Sequence, residues 1–318
     1  MSNYNLAISY KFLLWSEKML NQKIQSLLKV AQLKSYTEAA KQLSLTQPAV
    51  SQHIRQLEEE LGVKIFDRVN NELLTTPEGE IAVHYAERMS ILYDNMKTAI
   101  AKEKAGVSSL SVGITHTSES NPIAEALAKY TAEHKGVHIK MVTDNISNLY
   151  EKLKTFEIDL AIVEGRSSDS AFRYTLLDTD CLMLVTRVGH PLAKKGLVTV
   201  DELKKENLIL RLASSNTQNL FVSHLQSNNM DIADFNVILE VDNVATIKDL
   251  VRRNFGVSVL PQSACLDELK KGKIAALPIE NFSMMREVNI VYNSDFQKFD
   301  LLRDIISTYK ETVKNYSN

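Results

Sequence analysis

The 318-residue chain contains only two cysteines, and neither is placed for metal binding or cross-linking. Cys181 and Cys265 stand alone, without a second cysteine or a histidine at the spacing that metal sites use. Structural zinc sites and disulfide frameworks need several such residues in a compact pattern. We therefore expect no bound metal, no cofactor and no disulfide, and a reducing compartment such as the cytoplasm.

Long apolar runs are also missing, since no stretch approaches the roughly 20 residues that cross a bilayer. The opening MSNYNLAISYKFLLWSEKML carries a short apolar patch, but Lys11, Glu17 and Lys18 flank it and no small-residue cleavage site follows. We predict that residues 1–20 form an N-terminal extension rather than a signal peptide. The composition gives no sign of a membrane partner.

Neither an excess of positive charge nor a catalytic signature is present. Lys and Arg number 37 against 39 Asp and Glu, so the chain lacks the positive field with which proteins coat DNA non-specifically. No G-x-G-x-x-G, phosphate-binding loop, G-x-S-x-G elbow or H-E-x-x-H motif occurs. We predict that the chain is not an enzyme. An α/β enzyme or solute-binding domain with a helical appendage is the alternative.

Residues 21–77 are dense in helix signals and form the first predicted domain. Ser35 or Thr37 supplies the N-cap of a short helix. After a break, Thr46 caps a further helix, which Gly62 ends. Two short helices joined by a tight turn are typical of a helix-turn-helix.

The longer helix of this pair has one apolar face, formed by Val50, Ile54, Leu57 and Leu61 at steps of four, three and four. Turning Val50, Ile54 and Leu57 inward leaves short polar side chains and an arginine facing outward: Gln47, Ala49, Ser51, Gln52 and Arg55. Amides, hydroxyls and arginine near a helix N-terminus pair with base edges in the major groove. We interpret this helix as a reader of double-stranded DNA, with its acidic end beyond the groove.

Residues 78–106 predict one long helix with a narrow apolar stripe. Such a stripe is too long to be buried against a small neighbouring domain, so it predicts pairing with a second copy. Packing on its own domain is the alternative. A homodimer or homotetramer would then bury the stripe, which consists of Ile81, Tyr85, Met89, Leu92, Met96 and Ile100.

From residue 107 onward, strand and helix patterns alternate. Such alternation predicts a mostly parallel sheet with helices on both faces. Roughly 210 residues fit two lobes better than one. We predict lobe I at about 107–180 and 283–318, and lobe II at about 181–282.

The stretch KSYTEAAKQLSLTQPAVSQHIRQLEEELGVKIFDR, followed by LTTPEG, resembles the N-terminal domain of LysR-type transcriptional regulators. The resemblance covers residues 22–104 closely, and the rest has the same overall layout. It implies an α/β protein with a winged helix-turn-helix, a linker helix and a two-lobed effector domain like a type II periplasmic binding protein. The implied function is sequence-specific transcriptional regulation by a small-molecule effector bound between the lobes, with RNA polymerase as a further partner.

The resemblance places DNA contacts on the second helix of the motif and before the wing. In the wing, Asn70, Asn71 and Glu72 stand where the family often has basic residues, and Thr75 replaces the usual Leu. We therefore expect weak phosphate contact from the wing, with more of the affinity coming from the helix and from pairing of two copies. The predicted DNA-binding residues are Thr37, Thr46, Gln47, Pro48, Ala49, Ser51, Gln52, Arg55 and Arg68.

Two hydroxyl-rich loops, GITHTSES and RLASSNTQN, follow predicted strands and precede helices. Helix N-termini with hydroxyls form cradles for anions, although plain capping by Ser118 or Ser120, and a surface ion pair for Arg211, are the alternatives. THT also resembles the loop of the cysteine-biosynthesis regulator subgroup, which suggests a small anion or amino-acid derivative. The predicted effector-binding residues are Thr115, His116, Thr117, Ser118, Glu164, Arg211, Ser214, Ser215, Thr217, Asn243 and Val244.

Overall fold

The computed structural model describes residues 22–70, 72–104, 106–118 and 122–317. The predicted extension 1–20, Asn71 and Ser120 lie outside these ranges. The chain divides into two compact units, the first ending at Lys104 and the second beginning at Ala105. Among the described helices, none is long and apolar enough to cross a membrane.

The first unit consists of three short helices, a two-stranded wing and one long helix. Its core is formed by apolar side chains from all three short helices, including Leu27, Ala40, Val50 and Ile54. The elements are α1 Gln22–Leu33, α2 Tyr36–Leu43, α3 Gln47–Leu61, β1 Phe66–Val69, β2 Glu72–Thr75 and α4 Pro77–Lys104. The long helix thus begins one residue before its predicted bound and ends two residues before it.

The ends of the short helices follow from local side-chain chemistry. Ser35, one of the two candidates, caps α2 by accepting a hydrogen bond from the Glu38 backbone. Thr37 instead lies exposed in the first turn. Thr46 caps α3, and Gly62 ends it at a φ of 70°, as predicted.

The predicted inward face of α3 is confirmed. Val50, Ile54 and Leu57 are buried, whereas Leu61, which continues the same apolar spacing, is 53% exposed. The last turn of α3 extends past the small core. The buried face therefore ends at Leu57.

Glu58 near the end of α3 holds the entrance to the wing. Its Oε1 accepts a hydrogen bond from the Ile65 backbone at 2.9 Å, and its Oε2 pairs with Lys64 Nζ at 2.9 Å. The side chain is only 11% exposed. Of the acidic residues 58–60 at the end of α3, Glu58 is therefore bound to the wing. Glu59 and Glu60 are open to solvent.

Replacing Glu58 with alanine should lower the free energy of unfolding by about 1–3 kcal/mol, because the Ile65 N–H then loses its acceptor in a buried setting. Glu59→Ala and Glu60→Ala are matched controls, since both side chains are more than 60% exposed and should change stability little. Urea unfolding of the three variants measures the difference. Equal stabilities would contradict the anchoring role.

The strands of the second unit are β3 Ser108–Thr115, β4 Val137–Asp144, β5 Leu160–Glu164, β6 Phe172–Arg187, β7 Asn207–Arg211, β8 Asn236–Val241, β9 Ser258–Pro261, β10 Ile274–Leu277 and β11 Met285–Asn293. They form a seven-stranded sheet with the order β10-β6-β11-β5-β3-β4, in which β9 also pairs with β6, and a separate β7-β8 pair. The helices of this unit are α5 Pro122–Glu133, α6 Ile146–Lys154, α7 Val200–Leu203, α8 Asn216–Ser227, α9 Val244–Arg252, α10 Leu266–Lys270 and α11 Phe299–Ser317.

The seven-stranded sheet is mixed, which corrects the expectation of a mostly parallel one. Only β3 pairs in parallel, with β4 and β5, and the pairs that involve β6 or β11 are antiparallel. The chain leaves lobe I along β6 and, after its return, runs back through lobe I along β11, so these two strands point in opposite directions.

Strand β6 is shared by both lobes. Residues 172–181 pair with β11 in lobe I, and residues 182–187 pair with β9 and β10 in lobe II. Each lobe has its own apolar core, with Ile114 and Ile290 in the first and Leu184 and Phe221 in the second. The chain thus enters lobe II after Cys181 and returns to lobe I at Met285.

Candidate functional site

The exposed face of α3 carries most of the polar residues predicted to read DNA. Gln47, Pro48, Gln52 and Arg55 are exposed, while Ala49 and Ser51 are half-buried. The Gln47 amide donates to Ser51 Oγ at 2.8 Å, so these two side chains form one polar ridge. Thr46 is exposed at the start of the helix, where its side chain caps α3.

Arg55 is free to bind another partner. Its side chain is 79% exposed, and its Nε donates to Glu59 Oε1 at 2.9 Å within the same helix. An exposed ion pair of this kind contributes little to stability and is easily exchanged for a phosphate or a base. The guanidinium can therefore leave Glu59 without cost to the fold.

Arg68 lies exposed on β1, at the start of the wing. At the tip, Asn70 has a φ of 50°, a left-handed conformation that asparagine adopts more readily than most residues. The unusual Asn70 thus has a structural reason, since the turn requires it.

The stripe on α4 is open to solvent in the single chain. All six side chains are between 41% and 61% exposed, although they are large and apolar. An exposed apolar row of this length marks an interaction surface. Its members are Ile81, Tyr85, Met89, Leu92, Met96 and Ile100.

A cleft of about 390 Å³ in the second unit brings together residues from both lobes. Lobe I contributes the ends of β3, β4 and β5, and lobe II contributes the ends of β7 and β8 with the start of α8. Seven predicted residues line it: Thr115, His116, Thr117, Glu164, Arg211, Ser214 and Ser215.

Four predicted residues do not line the cleft. Ser118 is buried behind it and donates its N–H to Thr115 Oγ1, and Thr217 is buried at the start of α8. Asn243 is exposed and caps α9 through the Thr246 backbone, whereas Val244 is 1% exposed in the core of lobe II. For Val244 the predicted place at the cleft is wrong, because the first turn of α9 packs inward.

The cleft also contains a segment that the sequence reasoning missed. Asn145 caps α6, and Asp144 just before it accepts hydrogen bonds from Asn148 and the Asn145 backbone and pairs with Lys152 at 3.1 Å. Burial opposes ionisation of Asp144, but these donors outweigh it and lower its pKa. The available signal was an Asp-Asn pair directly after a strand. The additional lining residues are Asp144, Asn145, Ile146, Ser147, Asn148, Asn216 and Asp242.

Arg211 is the central cation of the cleft. Its side chain is 4% exposed, and Nη2 donates to Asp242 Oδ1 at 3.1 Å. Nε and Nη1 have no hydrogen-bond partner among the described residues. Burial lowers the pKa of Arg211, and the charges of Asp242 and Glu164 act against that change. Arg211 is therefore not in a surface ion pair, and it lacks acceptors that a bound oxyanion would supply.

Glu164 lies on the lobe I side of the cleft, opposite Arg211. Its side chain also contacts Arg286, close to the point where β6 passes from one lobe to the other. Thr115 Oγ1 donates to Glu164 Oε1 at 3.0 Å, and Arg286 Nη2 lies 3.5 Å from the same oxygen. Arg286 makes its shorter ion pair, 2.9 Å, with Asp180 on β6. Neither Arg286 nor Asp180 stands in a recognisable sequence motif, so the sequence does not predict their ion pair near the cleft.

Two family models match the chain. The one described as the LysR substrate binding domain matches residues 104–314, and the one described as bacterial regulatory helix-turn-helix protein, lysR family, matches residues 22–80. Together they span both units.

Curated relatives are similar along most of their length. A probable RuBisCO transcriptional regulator of Phaeodactylum tricornutum is 26% identical and covers 92% of this chain and 98% of its own. The HTH-type transcriptional regulator CysL of Bacillus subtilis is 24% identical and covers 85% and 90%. A solved structure of full-length CbnR with its target DNA has a TM-score of 0.65 at 15% identity and covers 92% and 99%, a likeness in fold.

Proposed function

The chain belongs to the LysR family of transcriptional regulators, and from that premise we propose that a small molecule bearing an oxyanion controls it from the cleft of the second unit. As a member of the family it is a DNA-binding regulator with an effector-binding domain. The observation that carries the proposal is Arg211, a buried arginine in the wall of a cleft, with two guanidinium nitrogens that no described residue hydrogen-bonds.

The other walls of the cleft suit the same ligand chemistry. The N-termini of α6 and α8, with their cap residues Asn145 and Ser215, both face it. The partial positive charge of a helix N-terminus favours an anion, and the hydroxyls of Thr115, Thr117 and Ser214 can donate to it. A carboxylate or similar oxyanion would thus meet donors from both lobes.

We further propose that α3 reads the operator. Gln47, Gln52 and Arg55 would contact base edges, with Ser51 and Ala49 close to the bases and Arg68 on the phosphate backbone. Thr37, Thr46 and Pro48 lie at the N-terminal ends of α2 and α3. Pro48 itself has no backbone N–H, but the other N–H groups of these first turns suit phosphate. Contact with RNA polymerase is part of the proposal, and we propose no catalytic activity for the chain.

The direct test is a gel shift and footprint with the full-length protein on genomic fragments, repeated with candidate small molecules. We expect one protected region with two half-sites, whose extent or affinity changes when the effector is added. A protein that binds all fragments alike at moderate salt would contradict operator recognition. A footprint that no small molecule alters would count against control from the cleft.

We also propose that two copies associate through the stripe on α4. The double substitution Met89→Glu and Leu92→Glu should weaken association by roughly 100-fold or more, because burial of two such side chains contributes about 3 kcal/mol or more. Thr98→Glu, exposed on the opposite side of the helix, is the matched control. Light scattering across a concentration series measures the change. An unchanged mass would place the interface elsewhere.

A further inference from the structure

Two oppositely charged side chains end strands on the two sides of the cleft. Glu164 is the last residue of β5 in lobe I, and Arg211 is the last residue of β7 in lobe II. Both line the cleft, and each side chain is only 4% exposed. The cleft therefore has one buried positive and one buried negative wall.

The carboxylate of Glu164 is only partly engaged within the protein. Oε1 receives hydrogen bonds from Thr115 at 3.0 Å and Ser118 at 3.5 Å. Among the described residues none donates to Oε2, and Arg286 is closer to Asp180 than to Glu164. One oxygen of a buried carboxylate thus remains available for a donor.

The charge of the lining residues opposes a simple anion. Three carboxylates, Asp144, Glu164 and Asp242, stand against one arginine, and no described lysine lines the cleft. Lys152 and Arg286 compensate two of these carboxylates from outside the lining. A dianion such as sulfate would gain from Arg211 but would also be repelled by Glu164 across the cleft.

Resting on the proposed function, we infer that the effector is a zwitterion, an amino acid or a small derivative of one, that spans the two lobes. Its carboxylate meets Arg211 and the helix N-termini, and its ammonium group donates to Glu164. Glu164 is then the residue that selects for the amino group. The volume of about 390 Å³ leaves room for a side chain, which an inorganic oxyanion would not fill.

Isothermal titration of the full-length protein with matched pairs of probes tests this inference. The pairs are L-alanine and propionate, L-serine and 3-hydroxypropionate, L-leucine and 4-methylpentanoate, and L-glutamine and 4-carbamoylbutanoate. The other common L-amino acids, sulfate and inorganic phosphate complete the panel. We expect at least one amino acid to bind tenfold or more tightly than its deaminated partner, with sulfate and phosphate weaker still.

Glu164→Gln should remove this preference. The variant keeps the shape of the side chain but loses its charge, so amino-acid affinity should fall tenfold or more while the affinity of the deaminated partner stays or rises. Glu133→Gln, an exposed position on α5, is the control and should change neither affinity. Should the Glu164 variant unfold, the comparison of matched pairs on the unaltered protein still decides.

Several outcomes would overturn the inference. These are deaminated acids or sulfate binding as tightly as amino acids, no amino acid binding at all, or Glu164→Gln lowering both members of a pair equally. The proposed function fails separately, when substitution of Arg211 leaves the binding of every active probe unchanged. If sulfate binds as tightly as the amino acids and its binding requires Arg211, the proposed function stands and the zwitterion inference fails.

Discussion

An Arg55→Ala chain is expected to lose sequence-specific binding while its stability stays the same. An arginine that pairs with a guanine contributes about 1–3 kcal/mol of discrimination, so each copy should lose roughly tenfold or more in specific affinity. Two copies reading two half-sites would multiply that loss. Gln52→Ala should act in the same direction, since its amide is equally exposed. Non-specific binding at low salt should change much less.

The reason for unchanged stability is that Arg55 is highly exposed, and its ion pair among the described residues is the exposed one with Glu59. Glu59→Ala removes the same pair from the other side and should leave operator binding intact, which makes it the matched control. Val50→Asp places a charge in the core of the first unit and should unfold it. Binding titrations with operator and scrambled DNA, alongside thermal unfolding, separate the three variants. A strongly destabilised Arg55→Ala chain would mean that α3 is rotated differently.

An Arg211→Met chain should lose its response to the effector. Charge-assisted hydrogen bonds contribute about 1.5–3 kcal/mol each, so removing the donors of Arg211 should weaken effector binding by roughly 100-fold. The shift in unfolding temperature that the effector gives to the unaltered protein should then disappear. DNA binding without effector should remain.

The Arg211→Met chain should also be at least as stable as the unaltered protein when no ligand is present. Arg211 is buried with two unpartnered nitrogens, and its ion-pair partner Asp242 is mostly exposed, so methionine removes a desolvation cost. The buried Glu164 keeps its own contacts with Thr115 and Arg286. Arg166→Met is the control, because that arginine forms an exposed pair with Glu287 outside the cleft. Thermal shift measurements with and without ligand give both readouts. A retained shift would locate the effector elsewhere.

Much of the first unit could be predicted from the sequence because its signals are local. Caps such as Thr46, the terminal Gly62 and the three-residue buried face of α3 depend on residues within one or two turns. Where the buried face ends is not recorded locally: Leu61 continues the apolar spacing but lies beyond the small core and is exposed. The LysR resemblance is confirmed over both units.

The site in the second unit could be predicted less completely, because it is formed by strand ends that are distant along the chain. The two hydroxyl-rich loops could be found, since each follows a clear strand and supplies a helix start. Asp144 and Asp242 were missed because a single acid after a strand is common. Val244 was misplaced because its position was inferred from the family resemblance, which does not tell which way the first turn of α9 faces in this chain. Arg286 and Asp180 are 106 residues apart in the sequence, so no spacing pattern predicts their contact.

Strand β6 has a mechanical consequence for any response to ligand. The two lobes share this strand of 16 residues, which is paired along both lobes apart from a bulge at Leu177, and Arg286 and Ser263 both bind Asp180 near its middle. A paired strand cannot swivel about single bonds as a loop can, so a change in the angle between the lobes has to be stored as twist and bend along it. A strand strained in this way would oppose large changes in the angle between the lobes. It would restore the unliganded angle each time the ligand leaves.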